Sequence, residues 1–139
     1  MKKTKYKAVT DILSMIFALS AIVTGFILHN EVWHLHVYDD TTLWGTHEFL
    51  GLAMAAFAGV HCVQHSFWFK HYFKISVTKK RVTTILLIIG IIVAVTGVVL
   101  MCGSRSELVS HIHYVGAILF TLIAIGHVVK RWKLLKGLF

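Results

Sequence analysis

Four long apolar segments constrain the fold of this chain more than any other feature. They cover about residues 8–28, 47–67, 82–102 and 112–132 of the 139. Each is close to the ~20 residues that a helix needs to cross the ~30 Å hydrocarbon core of a bilayer. Inside lipid the backbone must satisfy its own hydrogen bonds, which a helix does. Without proline the segments also lack the commonest helix break. The sequence therefore predicts an all-α protein with four transmembrane helices in one domain, residues 1–139.

The distribution of basic residues predicts how these helices are oriented. Of the 14 lysines and arginines, all except Arg105 precede the first segment, lie between the second and third, or lie at and beyond the end of the fourth. In a four-helix protein those regions share one side of the membrane, and basic residues favour the cytoplasmic side. We therefore expect both termini in the cytoplasm, an up-down-up-down bundle, and the cytoplasmic (inner) membrane of a prokaryote. The net charge of +8 then reflects topology and contact with membrane lipid, and no nucleic-acid partner is expected.

An internal repeat relates the two halves of the chain. The first segment ends in TGFIL (24–28) and the third in TGVVL (96–100). Each is followed by a loop and then by a segment that has a histidine near its start. We expect two pseudo-repeated helical hairpins, which together make the kind of four-helix bundle that holds cofactors between facing helices.

The spacing of four histidines predicts the function. His47 and His61 are 14 residues apart, as are His113 and His127. Fourteen residues leave two side chains only ~40° apart on one helix face and ~21 Å apart along it. In the predicted bundle the second and fourth helices run in the same direction, so His47 is level with His113 near the outer face, and His61 with His127 near the inner face. Imidazole is the commonest haem ligand, and polar residues inside the membrane mark function. The pattern predicts two non-covalent haem b groups, each with two histidine ligands to its iron.

Two further histidines leave the ligand assignment open. His111 could replace His113, but 16 residues before His127 it points ~160° away from it. His65 could replace His61, because 18 residues from His47 return to the same face, though ~27 Å away. His65 is otherwise expected to contact a ligand histidine or a haem propionate.

Glycines and arginines near these histidines are candidate cofactor contacts. Glycines would let a flat macrocycle approach the backbone, although for each glycine taken singly close helix packing is the favoured explanation. Haem propionates need cations, which two arginines could supply, one at each face. The candidates are Gly25, Gly51, Gly97, Gly116, Arg105 and Arg131.

Acidic residues have several open interpretations. Glu48 could exchange protons with a quinol, hydrogen-bond a ligand imidazole, or lie solvated among lipid headgroups. Asp11 is expected in the first turn of the first helix, where its charge suits the helix dipole. An outer loop could hold a divalent metal ion, dock a partner, or cover the outer haem. Its candidate ligands are His29, Glu31, His34, His36, Asp39 and Asp40.

The paired His-x13-His pattern is similar to the di-haem core of the cytochrome b subunits of quinol-oxidising complexes. The short chain, the four segments and the sequence HEFLGLAMAAFAGVHCVQHSFWF (47–69) resemble the small flavinylation-associated cytochrome b family. The resemblance implies a membrane b-type cytochrome that relays electrons from a quinol pool or a reductase to an extracytoplasmic flavoprotein or cytochrome. It implies ligand roles for the same four histidines. The larger cytochrome b proteins carry a Pro-Glu loop at their quinol site, and a chain without proline lacks it.

Three functional hypotheses therefore remain. The first is an electron carrier, either a transfer protein or the cytochrome subunit of a quinol-linked oxidoreductase. The second is a metal-ion transporter lined by histidines, although no acidic residue is expected at mid-membrane depth. The third is a haem-free membrane anchor for a partner enzyme, which leaves the repeated histidine spacing unexplained.

Overall fold

Every secondary-structure element is helical in the part of the chain that the computed structural model of the protein describes. That part comprises the backbone of residues 2–34, 41–103 and 106–136 and the side chains of residues 6–29, 42–78, 80–103 and 106–130. In chain order the elements are α1 (Lys2–His34), α2 (Thr41–Gln64), α3 (Ser66–Lys70), a 3₁₀ turn (Tyr72–Lys74), α4 (Val77–Met101) and α5 (Glu107–Lys136). The prediction of an all-α fold is confirmed.

Four of these helices are long and apolar enough to cross a membrane. The qualifying stretches are Tyr6–His29, Thr42–Gln64, Lys80–Met101 and Glu107–Lys130. Most of their large apolar side chains are exposed on the outside of the described structure. A soluble protein rarely exposes so much contiguous apolar surface, so the four helices are consistent with a multi-pass membrane protein.

The long helices pair into two hairpins. Contacts are densest between α1 and α2 and between α4 and α5. Fewer contacts join the hairpins, and most of these run between α1 and α5 and between α2 and α4. Around the bundle the order is therefore α1, α2, α4, α5, so that α2 and α5 occupy opposite corners.

Several helix boundaries differ from the sequence-based expectation, and α1 continues to His34, through residues that were expected in the outer loop. The second apolar segment was expected to continue to residue 67, but α2 ends at Gln64. The backbone turns at His65 (φ −101°, ψ 22°), where the apolar run gives way to Gln64, His65 and Ser66.

The expectation for Asp11 is wrong: α1 begins at Lys2 and has no acidic residue in its first turn, so Asp11 lies well inside the helix.

Few side chains are buried in the described part of the bundle. The buried ones are small or medium in size: Ala8, Thr10, Ala21, Leu28 and Val93. None of the large side chains described there is fully buried. Aromatic contacts contribute at two points, since Phe17 stacks on Phe57 within the first hairpin and His29 stacks on Tyr114 between the hairpins.

Candidate histidine site between the hairpins

The orientation of His47 is determined by α1. Its Nδ1 atom lies 3.1 Å from the carbonyl oxygen of Ala21 and 3.1 Å from the hydroxyl oxygen of Thr24. A carbonyl oxygen can only accept, so the Nδ1–H donates to it. In the neutral ring Nε2 then carries no proton, and its lone pair is free. A histidine held this way has the tautomer and orientation of a metal ligand whose other nitrogen is supported by the protein.

The second hairpin repeats this arrangement around His113. The Nδ1–H of His113 lies 3.0 Å from the carbonyl oxygen of Val93 and 3.1 Å from the hydroxyl oxygen of Thr96. Val93 and Thr96 each stand 72 positions after their counterparts Ala21 and Thr24. The sequence repeat is therefore also a repeat of hydrogen bonds, and Nε2 is the free lone pair in both rings.

Each threonine hydroxyl in this arrangement has its proton engaged elsewhere. Thr24 donates to the carbonyl oxygens of Ser20 and Ala21 at 3.0 and 3.1 Å, and Thr96 donates to those of Ile92 and Val93 at 2.7 and 3.1 Å. The hydroxyl oxygen can therefore only accept from the histidine Nδ1–H. Sequence reasoning missed this role, although the shared Thr-Gly of TGFIL and TGVVL pointed to it.

Gly25 and Gly97 leave room for the two imidazoles. A Cβ atom on Gly25 would lie 2.8 Å from Cε1 of His47, and one on Gly97 would lie 3.0 Å from Cε1 of His113. Any side chain there would push the ring out of its hydrogen bonds. A contact between these glycines and a haem stays a prediction.

Gly116 and Gly51 differ in their surroundings. A Cβ atom on Gly116 would lie 3.0 Å from Cγ2 of Val93, so glycine there permits the close approach of α4 and α5. A Cβ atom on Gly51 would have no neighbour within 4 Å. Gly51 follows His47 by one turn and lies only ~40° from it around the helix, so this open space adjoins the face that carries the histidine.

His47 and His113 meet between the hairpins, and we call this pair the first level. Their ring centroids are 6.2 Å apart and their planes are at 90°. Because α2 and α5 occupy opposite corners, the pair spans the bundle. The side chain of His111 is exposed, so His113 is the ring of this part of α5 that meets His47.

We call the position of the other two predicted ligands, His61 and His127, the second level, and the pairing of their rings stays a prediction. His61 has a partner that sequence reasoning missed: its Nδ1–H donates to a carboxylate oxygen of Asp11 at 2.5 Å. Both side chains are partly buried. The ring of His65 lies 4.6 Å from that of His61. Asp11, His61 and His65 each offer one ligand atom, and these atoms lie within 4.8 Å of one another.

The end of α2 is tied to α1 beside this level. The side-chain amide of Gln64 donates to the hydroxyl oxygen of Thr10 at 2.9 Å, and that hydroxyl donates to the carbonyl oxygen of Tyr6 at 3.0 Å. Together with the pair formed by Asp11 and His61, these bonds hold α1 and α2 in a single register over their second-level ends.

Several predicted residues lie outside the described side chains. Arg105 and the loop residues His36, Asp39 and Asp40 are outside the described residues altogether, and only the backbone is described for Glu31, His34 and Arg131. The propionate contacts and the loop metal site therefore stay predictions. His29, expected among the loop ligands, stacks on Tyr114 of α5 with ring centroids 3.6 Å apart.

Comparison of this chain with protein-family models, curated proteins and solved structures finds no match. A functional conclusion therefore depends on the geometry of the two histidine levels.

Proposed function

We propose that this protein is a transmembrane b-type di-haem electron carrier. The first level, His47 and His113, would hold one haem iron, and the second level, His61 and His127, the other. The protein would relay electrons between a quinol pool or a reductase and an extracytoplasmic flavoprotein or cytochrome. The observation that carries this proposal is the first level, where two rings from different hairpins lie with their centroids 6.2 Å apart and have matching hydrogen-bond support.

The spacing of the first-level rings fits a shared iron. An iron bound by two imidazole nitrogens, with metal–nitrogen bonds of about 2 Å, would separate the ring centroids by roughly 6 Å. The observed separation is 6.2 Å. Both Nδ1–H groups donate to the protein, so both Nε2 atoms are available. Histidine ligands usually have their second nitrogen held in this way.

The packing between the hairpins also fits a flat cofactor. Protein interiors are normally close-packed by their own side chains. In the described part of this bundle the large side chains are not fully buried, and contacts between hairpins are sparser than within them. The open space at Gly51 adjoins the histidine face of α2, where a ring system between α2 and α5 would need it.

Bis-histidine haem would supply a one-electron iron couple with no coordination position open to oxygen. The protein's own contribution is the support of the ligands. The carbonyl oxygens of Ala21 and Val93 hold two of the imidazoles in one tautomer, and the apolar helices limit access of water. These features suit electron transfer, and an iron with two histidine ligands would have no open position at which oxygen could bind and be activated.

The proposed topology is up-down-up-down with both termini in the cytoplasm. Thr24 of α1 contacts His47 of α2, whereas Asp11, earlier in α1, contacts His61, later in α2. In the second hairpin, Thr96 contacts His113 and Gly90 lies against Phe120. These contacts support antiparallel helices within each hairpin, and the clustered basic residues support a cytoplasmic location for both termini.

The second level is supported by helix continuity. α2 is unbroken from His47 to His61, and α5 from His113 to His127. Two pairs of histidines at the same spacing then repeat the first level about 21 Å along the bundle. Two irons at that separation would form an electron path across most of the bilayer.

The decisive experiment is haem analysis of protein purified from haem-replete cells. We expect a red protein with a b-type reduced spectrum and two extractable haems per chain. His47→Ala and His113→Ala should each lose one haem. His111→Ala is the matched control, because its side chain is exposed on the same helix, and it should keep both. A colourless wild-type protein would refute the proposal.

Transport of a divalent metal ion is a second candidate, favoured by one observation. Asp11, His61 and His65 bring two imidazoles and a carboxylate within reach of one ion, a donor set that suits first-row transition metals. This function predicts a haem-free protein that binds Zn²⁺ or Co²⁺, with binding lost in His65→Ala. Two haems in a zinc-free protein would exclude it.

A further inference from the structure

The two hairpins are alike at the first level and unlike at the second. At the first level both histidines donate to a neutral carbonyl and a neutral hydroxyl. At the second level His61 donates to the carboxylate of Asp11. The sequence offset that relates Thr24 to Thr96 and Gly25 to Gly97 is 72 residues. The same offset places Thr83 at the position that corresponds to Asp11, so the second hairpin has no carboxylate there.

A carboxylate partner changes the chemistry of the imidazole. Charge-assisted hydrogen bonds are shorter and roughly twice as strong as neutral ones. The Nδ1–H of His61 donates to a carboxylate oxygen of Asp11, whereas the first-level rings donate to neutral carbonyl oxygens. As the Nδ1–H is drawn towards the carboxylate, Nε2 becomes a stronger donor to any metal that it binds.

Stronger donation has a predictable effect on an iron couple. It stabilises the ferric state, which carries the higher positive charge, relative to the ferrous state. The negative charge of Asp11 acts in the same direction, and in a partly buried site it is only partly screened. Both effects lower the midpoint potential of an iron bound by His61.

We infer that Asp11 is a positioning residue that makes the second-level haem the lower-potential one of the two. This inference rests on the proposed di-haem function. With haem bound at both levels, one electron would pass downhill from the second level to the first; one iron would go from ferrous to ferric, the other from ferric to ferrous, and no bond or proton would change place. In the proposed topology the downhill direction is from the cytoplasmic side to the outer side.

A redox titration of the purified holoprotein tests the inference. Asp11→Asn keeps the shape and removes the charge, so the lower of two midpoint potentials should rise towards the higher, which should stay unchanged. Asp11→Glu restores the carboxylate and should restore a low potential. Ser14→Ala is the matched control: Ser14 lies one turn further along α1 and donates to the carbonyl oxygen of Thr10, and its loss should leave both potentials unchanged.

The outcomes separate this inference from the proposed function. Two haems whose potentials are both unchanged in Asp11→Asn would overturn the inference and leave the function standing, and so would a shift of only the higher potential. A haem-free wild-type protein would overturn both.

A folding or binding defect in Asp11→Asn does not remove the test. If that variant binds a single haem, the potentials of Asp11→Glu decide. Two haems with a well-separated low potential support the inference, and two haems of nearly equal potential overturn it. The electron paramagnetic resonance spectrum gives a second readout, because a change in imidazole donation should alter one low-spin ferric signal and leave the other in place.

Discussion

The imidazole rings of His47 and His113 lie with their centroids 6.2 Å apart and their planes at 90°. The two rings belong to different hairpins, and each is held by the preceding helix of its own hairpin through a backbone carbonyl and a threonine hydroxyl. The supports are therefore separate, and each can be altered without touching the other.

Gly25→Ala should displace His47. The new Cβ atom would lie 2.8 Å from Cε1 of the ring, closer than real contacts allow, and overpacking of this kind typically costs about 1–3 kcal/mol. We expect a lower unfolding temperature and the loss of one haem per chain, measured by thermal denaturation and haem extraction. Gly45→Ala is the control, because no atom lies within 4 Å of its new Cβ. Equal haem content in the two variants would contradict the assigned contact.

Thr24→Val and Thr96→Val should lower the free energy of unfolding by similar amounts. Each removes one acceptor from a histidine Nδ1–H that keeps its carbonyl partner, and a single hydrogen bond of this type contributes about 1 kcal/mol. The destabilisation of the double variant should differ from the sum of the single effects, because the two supported rings lie with their centroids 6.2 Å apart and neighbouring sites couple. Chemical denaturation measures all three.

The control for the threonine variants is Thr121→Val. The hydroxyl of Thr121 donates to the carbonyl oxygen of Ala117 in its own helix at 2.7 Å and has no histidine partner among the described contacts. Its loss should destabilise the protein less than that of Thr24, because no described histidine contact depends on it. An effect as large as that of Thr24→Val would show that removal of any helix threonine has the same consequence.

Gly51→Leu tests the space beside the first level. Because nothing in the described structure lies within 4 Å of the new Cβ, the haem-free protein should change in stability by no more than about 0.5 kcal/mol. The holoprotein should nevertheless lose haem, since the leucine would occupy the room that the cofactor needs. Gly59→Leu, also with open space but exposed on the same helix, should keep both haems. Full haem content in Gly51→Leu would show that the cofactor does not lie against this face of α2.

Tyr114→Ala and His29→Ala should loosen the contact between the hairpins. Their rings are stacked with centroids 3.6 Å apart and planes at 13°, and aromatic pairs of this kind contribute about 0.5–1.5 kcal/mol beyond the burial of their area. A double-mutant cycle on the free energy of unfolding should return a coupling in that range. A coupling near zero would mean that the stacked pair does not hold the hairpins together.

Part of the candidate site follows from sequence alone. The 14-residue spacing predicted which histidines share a helix face and favoured His113 over His111, and His113 is the ring that meets His47 in the structure. Asp11 was assigned to the wrong position because the apolar segment suggested a helix start near residue 8, whereas α1 begins at Lys2. The sequence did contain a signal for the pairing of Asp11 with His61. Asp11 precedes Thr24 by 13 residues and His61 follows His47 by 14, so in an antiparallel hairpin that pairs Thr24 with His47 the other two residues come level.

The sequence by itself determined the four long helices and the faces on which the histidines lie. Helical hydrogen bonds and the 100° turn per residue are local, so length, apolar content and spacing are enough to specify them. Only the tertiary structure decided that Ala21 and Val93 hold the rings, that Gly25 borders His47, and that Asp11 pairs with His61. Those relationships depend on the register in which one helix packs against another, which is set by contacts between residues far apart in the chain.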